Sequence, residues 1–222
     1  MKPEDVITEL RACTTNQIRV EHEFRLGYLQ AQLDSLNASP RQQYFQLERS
    51  ALWLSLFSHI NWLAHFKFLK TEKVDTQIPQ WLENVFGWSH EVGEPFWYCG
   101  RNPIAHTGSQ NLPYTRNVNH VKHYILLSFD NPDDWQVTGE YRALPQTSAS
   151  GGSIPTQQTI FYYEPIQQRL GELTNDVCND INRFEHPQLL KLQRVMMSLS
   201  FLADDGSLAR MNNLLDVYEH VK

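Results

Sequence analysis

Cysteine is scarce in this 222-residue chain, at three residues in all. Cys13, Cys99 and Cys178 are odd in number, far apart and without the paired spacing that holds a metal. A disulfide framework is therefore not expected, and the usage fits a reducing compartment. Positive charge is also in short supply: 19 Lys and Arg face 25 Asp and Glu, for a net charge of −6. Affinity for duplex DNA comes mainly from neutralised phosphates, so a broad duplex-binding groove is not expected, while a small cleft for one or two phosphates stays open. No long apolar run is free of polar groups. The nearest, residues 51–69, contains His59, Asn61, His65 and Lys67 and gathers its apolar residues on one helix face, which argues against a membrane span. The opening residues, MKPEDVITELRA, place acids where a secretory signal needs its apolar stretch. No internal repeat is apparent. These absences together predict a soluble cytoplasmic protein that engages neither membrane nor duplex DNA.

What the chain does have is globular. Hydrophobic residues make up 41% and aromatics 12%, with six Trp and nine Tyr, so large rigid side chains should dominate the packing. Apolar residues Ile7, Leu10, Ile18, Leu29, Leu33 and Leu36 recur at helical spacing, although Gly27 and the Thr14-Thr15 pair argue against one unbroken helix. Ser39-Pro40 reads as a cap followed by proline at the first helical position. A long helix over 40–70 should come next, its apolar face formed by Leu52, Leu56, Ile60 and Leu63 and widened by Trp53 and Phe57. A shorter helix is expected over 79–86.

The texture changes after Gly108. Residues 121–129 alternate with period two and favour strand, residues 135–142 read as a returning strand, and 159–163 as a third. Residues 145–157, with their Ser-Ala-Ser-Gly-Gly-Ser run, read as a loop. Ile166, Leu170, Leu173, Val177, Ile181 and Phe184 then step by four and three. His186-Pro187 should break that helix, with further helices over 189–202 and from a Ser207 cap to about 221. The expected fold is mainly α: one domain over 1–222, with a helical part (3–110), a small antiparallel β insertion (121–164) and C-terminal helices (165–222) packing back on the first pair.

One segment stands apart chemically, Phe96-Trp97-Tyr98-Cys99-Gly100-Arg101-Asn102-Pro103-Ile104-Ala105-His106-Thr107-Gly108. Arg101, followed by Asn102 and then by His106 after four intervening residues, resembles the signature of the HEPN superfamily, with Ala105 before the His and a glycine soon after. The motif also comes after a long helical hairpin, as in that superfamily, and the resemblance spans roughly residues 3–110. It implies a metal-independent endoribonuclease that works as a homodimer on single-stranded or looped RNA. The RNA's own 2′-hydroxyl would attack, leaving a 2′,3′-cyclic phosphate and a 5′-hydroxyl. In that reading His106 transfers the proton, Arg101 clamps the phosphate and Asn102 positions it; no cofactor and no metal are called for. The alternative is a non-catalytic module that uses the same pocket for a nucleotide or a partner.

Helix-breaking residues complicate the motif's geometry. Gly100 and Pro103 require either a new short helix capped by Asn102 or a helix that starts at Pro95 and kinks at Pro103. On a straight helix Arg101 and His106 would stand about 140° apart. A second Arg-Asn pair, Arg116-Asn117 with His123 beyond it, runs into expected strand rather than helix. Glu48, Ser55 and His59 share one helix face and are more simply a solvated or hydrogen-bonded face than part of the site. His120 and His123 lack a third metal ligand nearby. Cys99 reads as a buried structural thiol rather than a nucleophile.

Overall fold

A computed structural model of the chain describes residues 2–38, 45–101, 104, 116–118, 121–130, 141–143, 146–147, 153–154, 156–199, 212–214 and 216–217. The protein is mainly helical. Helix α1 is Pro3–Ala38, α2 Phe45–Phe68, α3 Ile78–Phe86 and α4 His90–Pro95, the last running into a π-helical turn, Phe96–Arg101. Among the described residues, six strands come after it: β1 Arg116–Val118, β2 Val121–Ser128, β3 Tyr141–Ala143, β4 Gln146–Thr147, β5 Ser153–Ile154 and β6 Thr156–Tyr162. Helices α5, Tyr163–Ile181, and α6, His186–Ser198, come next. Among the described residues, no helix is long and apolar enough to cross a membrane.

Helix α1 is unbroken where the sequence argued for a break. The Thr14 and Thr15 hydroxyls donate to the Leu10 and Arg11 carbonyls one turn back, at 2.8 and 2.9 Å, which satisfies them inside the helix. Gly27 is exposed, and Leu29 and Leu33 bury the chain beyond it; apolar burial there outweighs a glycine cost of about 1 kcal/mol. Helix α2 forms as expected, while Ser39-Pro40 lies outside the described residues. Helix α3 carries Pro79 in its first turn and stops at Gly87, whose φ of 69° is left-handed and whose N–H returns to the Glu83 carbonyl. Pro187 does separate α5 from the next helix, but as a starter: it sits in the first turn of α6, where its missing N–H costs nothing. The helix expected from Ser207 is described only at 212–214 and 216–217, which are helical.

The sheet corrects the expected antiparallel meander. Its order is β1-β2-β6-β3, with β2 and β6 parallel and only the outer pairs antiparallel. Period-two alternation identifies a strand but not its neighbour. The chain between β2 and β6 is long enough for the crossover that parallel pairing needs. That pairing sets Leu127 beside Phe161 in register, both buried. The expected returning strand is described only at β3, and it pairs with β6 rather than with β2. Within the expected loop 145–157, β4 and β5 form a separate two-stranded ribbon.

The chain divides into two compact units. The first comprises Met1–Tyr28, Ile60–Thr76 and Gly171–Lys222. Val6, Leu10, Ile18, Leu63, Phe66, Leu173, Val177, Ile181, Leu192 and Val195 make its core. The Arg11 Nε–H donates to the Phe184 carbonyl at 2.7 Å. His22 is nearly buried, and burial pushes its pKa down to about 4. Lys67 Nζ lies 2.6 Å from both Asp176 Oδ2 and Asp180 Oδ2, one helical turn apart on α5. Burial alone would lower the Lys67 pKa, but the two carboxylates outweigh it and hold it above its ordinary value. The second unit, Leu29–His59 with Gln77–Leu170, holds the sheet and most of the stacked aromatic rings.

Replacing Lys67 with Met leaves two carboxylates facing each other without a cation. Lys67→Met should cost about 1–3 kcal/mol, between an exposed pair and a fully buried one. Urea denaturation checks this; an unchanged midpoint would show that the bridge adds no stability.

Candidate functional site

Arg101 closes the π-helical turn of the second unit. The turn arises directly after Pro95, which lies inside the helix and has no N–H to give the Glu91 carbonyl. The next donor, the Phe96 N–H, is shared between the Val92 and Gly93 carbonyls. Of the two geometries open from the sequence, the helix starting at Pro95 is not the one that forms, since α4 begins at His90 and Pro95 lies inside it; the short helix capped by Asn102 lies outside the described residues.

The turn is fixed by what it buries. Phe96 and Trp97 are fully buried and Cys99 is 3% exposed. Phe96 meets Phe161 at 4.8 Å, Phe57 at 5.0 Å, Trp88 at 5.1 Å and Trp53 at 6.5 Å between ring centroids. Trp97 meets Phe57 edge-on at 5.9 Å. Gly100 explains itself here: a Cβ built on it would lie 3.1 Å from Phe57 Cζ and 3.6 Å from Leu127 Cδ2. The residue that reads in sequence as a helix weakness lets the turn seat against α2 and β2.

Arg101 is half-buried, with its guanidinium carbon 5.2 Å from the centroid of the Trp97 ring. A cation over an indole face is held by the ring quadrupole, at about 0.5–2 kcal/mol. Trp97 precedes Arg101 by four positions, a spacing visible in the sequence that acquires meaning only once the turn is formed. The Trp97 Nε1 proton is buried and finds no acceptor among the described residues. A second cation stacks in the same unit. Arg49 Cζ lies 5.1 Å over Phe129, which stacks on Tyr163 at 4.9 Å. Burial lowers the Arg49 pKa and nearby Asp130 opposes that shift, while burial raises the Tyr163 phenol.

Of the three motif residues, the structure places Arg101 alone; Asn102 and His106 lie outside the described residues. Ile104, between them, is helical and buried. Arg116 and His123 are opposite one another on antiparallel β1 and β2, so that second Arg-Asn pair belongs to strand, as expected. His120 is outside the described residues. The shared face of Glu48, Ser55 and His59 grades from exposed through half-buried to buried. Cys99 is buried, as a structural thiol should be. No protein-family model, curated protein or solved structure matches the chain.

A methyl group at position 100 would stand 3.1 Å from Phe57 Cζ, so the ring has to give by a few tenths of an ångström. Gly100→Ala should therefore lower stability by about 1–3 kcal/mol, the usual range for overpacking a core. Equal thermal midpoints for the variant and the parent would contradict the tight seat.

Proposed function

We propose that the chain is a metal-independent endoribonuclease of HEPN type, acting in the reducing cytoplasm on single-stranded or looped RNA. The observation that supports it is Arg101 at the exit of a π-helical turn, half-exposed and stacked on a buried indole. Single π turns inside helices recur at functional sites, and a guanidinium positioned before the substrate arrives is what phosphate stabilisation needs.

In this reading the RNA supplies its own nucleophile. His106 takes the proton of the 2′-hydroxyl as its oxygen bonds to phosphorus, and the bond from phosphorus to the 5′-oxygen breaks. The departing 5′-oxygen gains a proton, leaving a 2′,3′-cyclic phosphate and a 5′-hydroxyl. Arg101 holds the non-bridging oxygens as charge gathers on them, and Asn102 orients the phosphate. One Arg-His pair per chain makes the working form a homodimer. In this reading the second copy would cover the exposed apolar side chains of α1, where Val20, Phe24 and Tyr28 are 54%, 66% and 55% exposed at one-turn spacing.

Two measurements test the proposal. Purified protein incubated with mixed RNAs in EDTA should cleave them. His106→Ala should lose about 10²–10⁴-fold of that rate with its fold intact, and Arg101→Lys should be impaired because a point charge replaces a planar fork. Cleavage that survives His106→Ala but stops with chelator would sink this mechanism, and a wild type that cleaves no RNA would favour the non-catalytic binding module. For the dimer, light scattering at tens of micromolar should give twice the chain mass, and Phe24→Asp should halve it; a wild-type monomer would rule out a site built across two chains.

A further inference from the structure

The first unit carries a cleft of about 560 Å³ that the motif does not touch. Its walls come from the segment just after α2 and from α6. Lys70 and Thr71 come from the first, Lys191 and Arg194 from the second, and Leu69 and Val195 also line the cleft. Glu72 is the acid in the lining. Three cations against one carboxylate give the cleft a local charge of opposite sign to the chain's net −6.

Both walls are held in place. Leu69 ends α2 in a left-handed conformation, φ 51°, and the Lys70 N–H returns to the His65 carbonyl at 3.2 Å. The His65 ring locks the same turn from the other direction, because Nδ1 lies 2.7 Å from the Lys70 carbonyl oxygen and must donate to it. Its Nε2 then accepts from the Asn61 amide at 3.3 Å. On α6, Lys191 and Arg194 are three residues apart and share a face, while Leu192 and Val195 anchor the helix in the core. Among the described residues, neither Lys191 nor Arg194 enters an ion pair. A left-handed leucine is costly, and here it turns the chain so that Lys70 joins the α6 cations.

We infer that this cleft binds phosphate groups, with Arg194 holding two oxygens in its planar fork, Lys70 and Lys191 adding point charge, and the Thr71 hydroxyl donating a hydrogen bond. A fork and ammonium groups around one hollow suit a tetrahedral oxyanion bearing two negative charges better than a lone carboxylate. The phosphates could belong to a nucleic-acid backbone or to a small phosphorylated molecule, and the chemistry of the cleft is the same for both. The inference does not depend on the ribonuclease reading.

The experiment separates binding from cleavage by using a strand that has no 2′-hydroxyl. Fluorescently labelled single-stranded dT10 is titrated with the full-length protein and followed by anisotropy, and sodium pyrophosphate is titrated by calorimetry. Lys191→Glu with Arg194→Glu, both exposed positions, should weaken binding of whichever probe binds by at least about tenfold, the usual scale for a charge-assisted contact. Glu72→Gln should tighten it by about two- to fivefold. If the backbone is the ligand, the dT10 affinity should fall with salt at a slope of about −2, as about three phosphate contacts on a single strand require. Pyrophosphate binding without dT10 binding assigns the site to small phosphates. Binding of neither probe, or equal binding by the doubly reversed variant with unchanged circular dichroism, overturns the inference. A chain that binds dT10 through this cleft but cleaves no RNA would overturn the nuclease reading alone.

Discussion

The burial of Phe96 is the contact on which the second unit depends. Four rings close around it, from α2, from the segment after α3 and from β6. Removing a ring of this size from water contributes about 2–3 kcal/mol by area alone, and edge-on or tilted neighbours add to it. Because Phe96 is also the first residue of the π-helical turn, the packing that completes the core sets the turn's position. Gly100 and Trp97 owe their roles to that placement, one set close against Phe57 and the other supplying the surface on which Arg101 rests.

Charge obeys a similar logic at two scales. The net charge of −6 describes only the average. It does not describe Lys67 between two aspartates, Arg101 over an indole, or the Lys70, Lys191 and Arg194 cluster. Each of those cations takes its role from a neighbour far away in sequence or from a turn geometry, so none is visible in a charge count. The buried indole protons of Trp53, Trp88 and Trp97 and the Tyr163 hydroxyl, all without acceptors among the described residues, point the same way. The second unit accepts polar cost, about 1–3 kcal/mol for an unsatisfied buried group, to gain large rings where packing demands them.

The amino-acid sequence by itself determined the helical class, the long α2, the short α3, the location of β2 and β6, and the amphipathic α5. These are local matters: a period of 3.6 or 2, a proline in a first turn, a glycine after a last one, each decided by neighbours within a few residues. It also singled out the segment around Arg101, because an Arg-Asn-x-x-x-His pattern after helices is a local signal too. Tertiary structure alone decided the rest. The parallel pairing of β2 with β6 rests on burying Leu127 and Phe161 side by side, a constraint no alternation pattern contains. The continuity of α1 through Thr14, Thr15 and Gly27 came from back-bonded hydroxyls and buried leucines that outweigh weak intrinsic propensity. The start of the Arg101 helix at His90 and its widening after Pro95 reflect a core that fixes Phe96 whatever the backbone ladder prefers. The phosphate cleft joins residues about 120 positions apart, because packing, unlike propensity, acts between residues without regard to their distance along the chain.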